Sequence, residues 1–191
     1  NSAAAGTVSA FSITATTGAL TAITGSPFTA GTNAEDVAVT PNGKFVYVAN
    51  RGSENISGYS IAPSTGVLTA LTGSPYATGT GSTPMGLAIS PNSGYLYVAL
   101  NGTDQVQAYT INATTGVLTG NGSAEAAGDG PQKLAFVTTP NAEWFLYMSK
   151  NGNDDNLATF PLNETTGQLG TVSTTSFTTA ADTSGLAADA S

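Results

Sequence analysis

The sequence contains neither cysteine nor histidine in its 191 residues. Without cysteine there is no disulfide framework and no thiol chemistry, which suits an intracellular protein or a bacterial or archaeal secreted one. Without either residue, Ser-His-Asp and Cys-His catalysis cannot be assembled within the chain, and no zinc site of the usual ligands can be built. Basic residues are nearly absent as well: Lys44, Arg51, Lys133 and Lys150 stand against twelve acids, for a net charge of −8. Phosphate-rich partners are repelled, and nucleic acid finds no basic patch to dock on. No run of about 18 apolar residues could span a membrane, and Asn1 to Gly6 is too small and polar for a signal peptide, so any export signal is expected to have been removed or to lie outside this sequence. A Gly-rich phosphate loop with its lysine is missing too. The charged fraction is 8 %, against about 25 % for an ordinary soluble protein. Thr, Ser, Asn and Gly make up the difference, giving a polar but barely ionic surface that points to an extracellular or cell-surface location.

What is present is a repeat. Pro41–Asn50 (PNGKFVYVAN) returns at Pro91 (PNSGYLYVAL) and Pro140 (PNAEWFLYMS), with Tyr47, Tyr97 and Tyr147 spaced by 50 residues. A period of that size, carried by short apolar strands and turn residues, predicts β-propeller blades. Alternating segments follow each copy or precede the first: Val8–Ile13, Ile56–Ile61, Val106–Ile111 and Leu157–Leu162, with the period of a half-buried strand. Each leads into a turn with Gly18, Gly66, Gly116 or Gly167, then a short outer strand carrying Leu20, Leu68, Leu118 or Leu169, then a loop. The strand before the PN turn is Asp36–Thr40, Gly86–Ser90 or Lys133–Val137. Its small, apolar side chains suit the crowded position nearest a propeller axis.

The fold expected is therefore all-β: a single array over residues 1–191, a propeller of about four blades with four antiparallel strands each. The blades divide near residues 1–34 (partial), 35–83, 84–129 and 130–184, with 185–191 starting the next. Aligned on the repeat, the chain begins just after a YVAN-type strand and stops just before the next one. A blade closed by the two termini would lack its second strand. The chain is then either a piece of a larger propeller or a module whose gap another chain fills by strand addition.

FVYVAN, with the downstream ISGYSI and STGVLTALTGSP and the upstream MGLAISPN, resembles the YVTN-repeat and lactonase-type β-propellers, the group that includes 6-phosphogluconolactonase-like proteins. The resemblance runs blade by blade over nearly the whole chain. It implies a seven-bladed ring and, in the enzymes of the group, an axial cleft with His, Glu and Arg side chains near the substrate. This sequence has no histidine and one arginine, Arg51. No catalytic position matches residue by residue, so no catalytic residue is assigned.

Carboxylates are the chemistry that remains. Glu54, Asp104 and Asp154 recur every 50 residues in the loop after the YVAN-type strand, either as hairpin-turn formers or as oxygen donors to a cation. Only Asn153, Asp154 and Asp155 concentrate enough oxygen to be a candidate Ca²⁺ site, and no other cofactor is expected. Glu35 with Asp36, and Glu125 with Asp129, fall on inter-blade loops as solvated acids. Phe11, Tyr59, Tyr109 and Phe160 occupy one repeat position and predict blade-to-blade packing rather than a sugar-stacking ladder. Trp144 is the candidate exposed binding residue; its alternative is a core filler. Five Asn-x-Ser/Thr triplets begin at Asn55, Asn101, Asn112, Asn121 and Asn163, about the number the composition produces unaided.

Together these readings predict a non-enzymatic surface module with a structural or binding role. It would self-associate or bind other surface proteins through open blade edges, with a glycan or a cation as ligands on one rim. The alternative is a fragment of a lactonase-like hydrolase whose catalytic residues lie outside this chain.

Overall fold

The computed structural model describes residues 5–139, 143–151, 157–171 and 173–174. All pairings are antiparallel. The first group of strands comprises β1 (Ala5–Val8), β2 (Phe11–Ile13), β3 (Leu20–Ala22) and β4 (Phe28–Thr32), with β1 paired to β4 and β2 to β3. Then come β5 (Ala34–Val39), β6 (Phe45–Asn50), β7 (Asn55–Ile61), β8 (Leu68–Ala70) and β9 (Tyr76–Ala77), forming one sheet in the order β5-β6-β7-β8 with β9 returning to β7. The next sheet repeats that plan with β10 (Pro84–Ile89), β11 (Tyr95–Leu100), β12 (Gln105–Ile111), β13 (Leu118–Gly120) and β14 (Glu125–Ala126). The last runs β15 (Pro131–Thr138), β16 (Trp144–Lys150), β17 (Ala158–Pro161) and β18 (Ser173–Thr174). Its outer strand shrinks to a bridge between Leu162 and Leu169.

The expected four-stranded meander is present, with one addition. The loop after the outer strand doubles back and adds a short fifth strand to the start of the third: β9 on β7 and β14 on β12, in the same register as β4 on β1. The segment predicted as one strand from Val8 to Ile13 is split in two, because β1 pairs with β4 before the chain turns to pair β2 with β3. Glu35 lies within β5 rather than in a loop, together with Asp36, where the expected strand Asp36–Thr40 had it, and Glu125 begins β14.

Neighbouring sheets stack face to face, with the inner strands β5, β10 and β15 side by side. The apolar core is consequently a series of layers between blades. Phe45, Tyr47 and Ala49 of β6 face the following blade, while Val46 and Val48 face the preceding one. In β11, Leu96, Val98 and Leu100 point back and Tyr97 and Ala99 point forward. A strand buried on both faces needs an unbroken apolar run, which is why VYVA-type stretches carry the repeat. Each fully buried Leu, Val or Phe contributes about 1.5–3 kcal/mol.

Hydroxyls tie the layers together. Tyr47 Oη donates to the Gly116 carbonyl at 2.6 Å, and Tyr97 Oη to the Gly167 carbonyl at 2.7 Å. Each tyrosine thus reaches the turn glycine of the next blade. A Cβ on Gly167 would lie 2.2 Å from the Tyr95 ring, and one on Gly116 2.5 Å from Phe45. The turn glycine therefore serves both its positive φ, +71° at Gly116 and +68° at Gly167, and the approach of an aromatic ring.

One face lacks cover. Val37 is 54 % exposed, although Leu87 and Leu134, at its position in the next two blades, are buried. Phe11, Ile13 and Leu20 of the first blade are exposed too, whereas Tyr59 and Leu68, the counterparts of Phe11 and Leu20, are buried.

Candidate functional site

Two ion pairs lie at the ends of the inner strands where β5, β10 and β15 begin. Asp36, Gly86 and Lys133 occupy one position in three successive inner strands, as the register against β6, β11 and β16 shows. Gly86 makes the arrangement workable. A Cβ there would meet the Gln132 carbonyl at 2.2 Å, so only glycine lets β15 lie so close to β10. Lys133 reaches across this gap, its Nζ 3.5 Å from Asp36 Oδ1, while the Leu87 amide donates to Asp36 Oδ2 at 2.9 Å. Beside this pair, Arg51 Nη1 lies 3.7 Å from Glu35 Oε1. Both ion pairs are partly solvated and contribute at most about 1 kcal/mol each to stability. Their value is positional: two carboxylates and two cations held at the axial end of adjacent blades.

A cleft of about 250 Å³ opens beside Glu35 and Asp36, lined by residues 7–9 of the first blade and by residues 34–37 and Val48 of the second, so that it includes the exposed Val37. Its walls mix hydroxyl and carboxylate oxygens with valine methyls. Such a surface can take a ligand that presents hydroxyl groups on one side and carbon on the other. Lys133 offers an ammonium to a carbonyl oxygen at the same end.

The recurring acids of the YVAN loops lie toward the same end and serve as backbone ties. Glu54 Oε1 accepts the Gly81 amide and Asp104 Oδ1 the Gly130 amide, both at 2.9 Å, tying each hairpin loop to the segment that enters the next inner strand. Both residues have left-handed backbone, at φ +52° and +54°, as turn formers do. Asn153, Asp154 and Asp155 lie outside the described residues, and among the described residues no three His, Cys, Asp or Glu side chains cluster to hold a metal. Trp144 is half-buried at the start of β16, its amide donating to Glu164 Oε1 at 2.8 Å. β16 places it roughly 20 Å from the Asn151 end of the strand. Tyr59, Tyr109 and Phe160 are buried between blades, while Phe11 is 48 % exposed. In the Asn-x-Ser/Thr triplets, Asn101 and Asn121 donate to the Pro131 and Thr166 carbonyls, and Asn112 and Asn163 accept amides of their own turns.

The family described as Lactonase, 7-bladed beta-propeller, matches residues 4–136. The chain belongs to this lactonase family of β-propellers. No curated protein matches it. Among solved structures, a protein of Bacteroides uniformis provisionally named a 6-phosphogluconolactonase superposes with a TM-score of 0.72 at 20 % identity, covering 89 % of this chain and 48 % of that one. The periplasmic gluconolactonase of Pseudomonas aeruginosa gives 0.67 at 21 %, covering 85 % and 48 %. An auxiliary nutrient binding protein of Bacteroides ovatus gives 0.56 at 21 %, covering 82 % and 38 %. At such identities the likeness carries the fold alone. The chain spans about half the length of the lactonase-like structures it matches. The position of Asp36 and Lys133 in this chain's inner strands was open to view in the sequence, since DVAVT, GLAIS and KLAFV differ in their first letter. What hid it was that no single blade holds both residues.

Proposed function

We propose that this chain forms part of the ring of a lactone hydrolase, and that the inner-strand ends at Asp36 and Lys133 bind an uncharged sugar lactone. The observation that carries the reading is the Lys133–Asp36 pair spanning Gly86 beside the 250 Å³ cleft, in a chain of the lactonase family. Hydrolysis adds water to the lactone carbonyl carbon and breaks its bond to the ring oxygen, giving a hydroxy acid and a proton. Lys133 would support the negative charge that gathers on the carbonyl oxygen, an electrostatic contribution of the oxyanion-hole kind. Asp36, itself fixed by the Leu87 amide, would hold that ammonium in place, and Glu35 and Ser9 would accept substrate hydroxyls. The group that takes the proton from water belongs, in this reading, to blades beyond this chain. Both cations near the cleft face carboxylates, so an uncharged lactone is favoured over a phosphorylated one. The polar, weakly ionic surface and the periplasmic setting of the Pseudomonas relative support export.

A pH-stat assay of the full-length protein with glucono-δ-lactone tests this. Acid release well above the buffer rate is expected, with kcat/KM falling about tenfold to a hundredfold in Lys133→Met; a rate equal to buffer alone overturns it. A second reading, a non-enzymatic surface module assembling with copies of itself, is favoured by the uncovered face at Val37, Phe11 and Ile13. Light scattering of a strictly monomeric protein would sink it.

A further inference from the structure

The outer groove between blades is filled alike in the first two blades and differently in the third. Phe28 of β4 and Tyr76 of β9 stand opposite Val8 and Ile56, and in the same register Glu125 of β14 stands opposite Val106. Ile23 and Leu71, whose amides donate to the Ala10 and Gly58 carbonyls, are matched by Asn121, which donates to Ala108. Across the groove, the residue after the turn glycine is Val117 in the third blade but Gln168 in the fourth. Tyr76 packs into the apolar cluster that holds Leu71, Ile111 and Leu118. One blade further on, an aromatic ring and two aliphatic side chains have become a carboxylate and two carboxamides, all bordering one space.

That space is a pocket of about 240 Å³, lined by Asn121, Ser123, Glu125 and Gln168 over the apolar side chains of Ala108 and Leu169. The strands around it keep their packing, with Val106 and Leu118 still buried. The exchanges therefore altered the groove without altering the blade. Its chemistry is mixed: the carboxylate only accepts, the carboxamides donate and accept, and the hydroxyl does both. The lining carries one negative charge and no cation, which disfavours anions. A single carboxylate is fewer than Ca²⁺ sites use. The volume falls below the roughly 300–1,000 Å³ of pockets for drug-sized molecules, leaving room for one ring.

We propose that the groove between the third and fourth blades binds a neutral monosaccharide. It lies on the outer strands, whereas the cleft at Asp36 lies on the inner ones, so this proposal stands or falls apart from the hydrolase reading. Amide NMR of the protein titrated with glucose, galactose, mannose and gluconate is the test. Saturable shifts of the Asn121 and Gln168 side-chain amides and the Ser123 backbone amide are expected with at least one neutral sugar, and none with gluconate. Glu125→Tyr restores the residue of the second blade and should abolish the shifts while leaving the melting temperature equal or higher. Glu125→Gln keeps the shape but not the charge and should weaken binding about tenfold. Absence of saturable shifts with all three sugars, or unchanged shifts in Glu125→Tyr, overturns the proposal, and the groove is then a packing gap filled with water.

Discussion

Tyr97 illustrates how one side chain serves two blades. Its ring is buried in the layer before the fourth blade and its hydroxyl satisfies the Gly167 carbonyl. Replacing Tyr97 with Phe leaves that carbonyl unpaired, and we expect a loss of about 1–3 kcal/mol in denaturant unfolding. Burial, with a smaller contribution from Tyr95, pushes the Tyr97 phenol far above its ordinary value of 10.0, and Tyr47 behaves likewise. A phenol whose folded pKa is raised favours folding fully below pH 10 and loses that contribution as the pH climbs toward the folded value. Stability should accordingly fall above pH 10, and Tyr97→Phe should flatten the fall; a circular-dichroism titration reads both. The turn glycines offer a sharper contrast. Gly18→Ala meets nothing within 4 Å and should cost only the left-handed backbone, about 1–2 kcal/mol. Gly167→Ala adds a collision with the Tyr95 ring and should cost distinctly more, as paired thermal melts would show.

At the scale of elements, the PN turn shows what the sequence made legible and what it did not. Thr40 Oγ1 accepts the Lys44 and Phe45 amides from a buried position, and Ser90 Oγ accepts the Tyr95 amide in the next blade. Thr40→Val should therefore speed amide exchange at Lys44 and Phe45 and cost about 1–3 kcal/mol; unchanged exchange would show that the hydroxyl is dispensable. The four-strand order was readable because burial on both faces leaves an apolar run in the second strand, while the third alternates. The fifth strand was not readable. Its two residues, Tyr76–Ala77 or Glu125–Ala126, are too few to show a period, and its pairing depends on a chain reversal that local pattern does not encode. The charged end was half legible for a related reason. Glu35 read as a loop acid, and Asp36 both as a loop acid and as the head of the inner strand, because AED at the head of β5 looks polar, and only the stacking of three inner strands brings Lys133 across Gly86 to meet Asp36.

For the molecule as a whole, the exposed valines of β5 offer a test of the self-assembly reading. Val37 and Val39 are each more than half exposed, so replacing both with Lys removes little packing. The double variant should keep its melting temperature within a degree or two, since such surface changes stay within about 0.5 kcal/mol, and should show less association by light scattering. Equal association in the variant would move the contact to another face.

The tyrosine tie also sets an order of events in synthesis. Tyr97 and Gly167 are 70 residues apart, and Tyr47 and Gly116 are 69. On a ribosome, a blade whose own strands have all emerged still waits for the next blade's turn before its phenol has a partner. For these two ties, completion thus trails translation by one blade. A nascent chain paused between blades would present a buried-type tyrosine to whatever chaperone or protease is near.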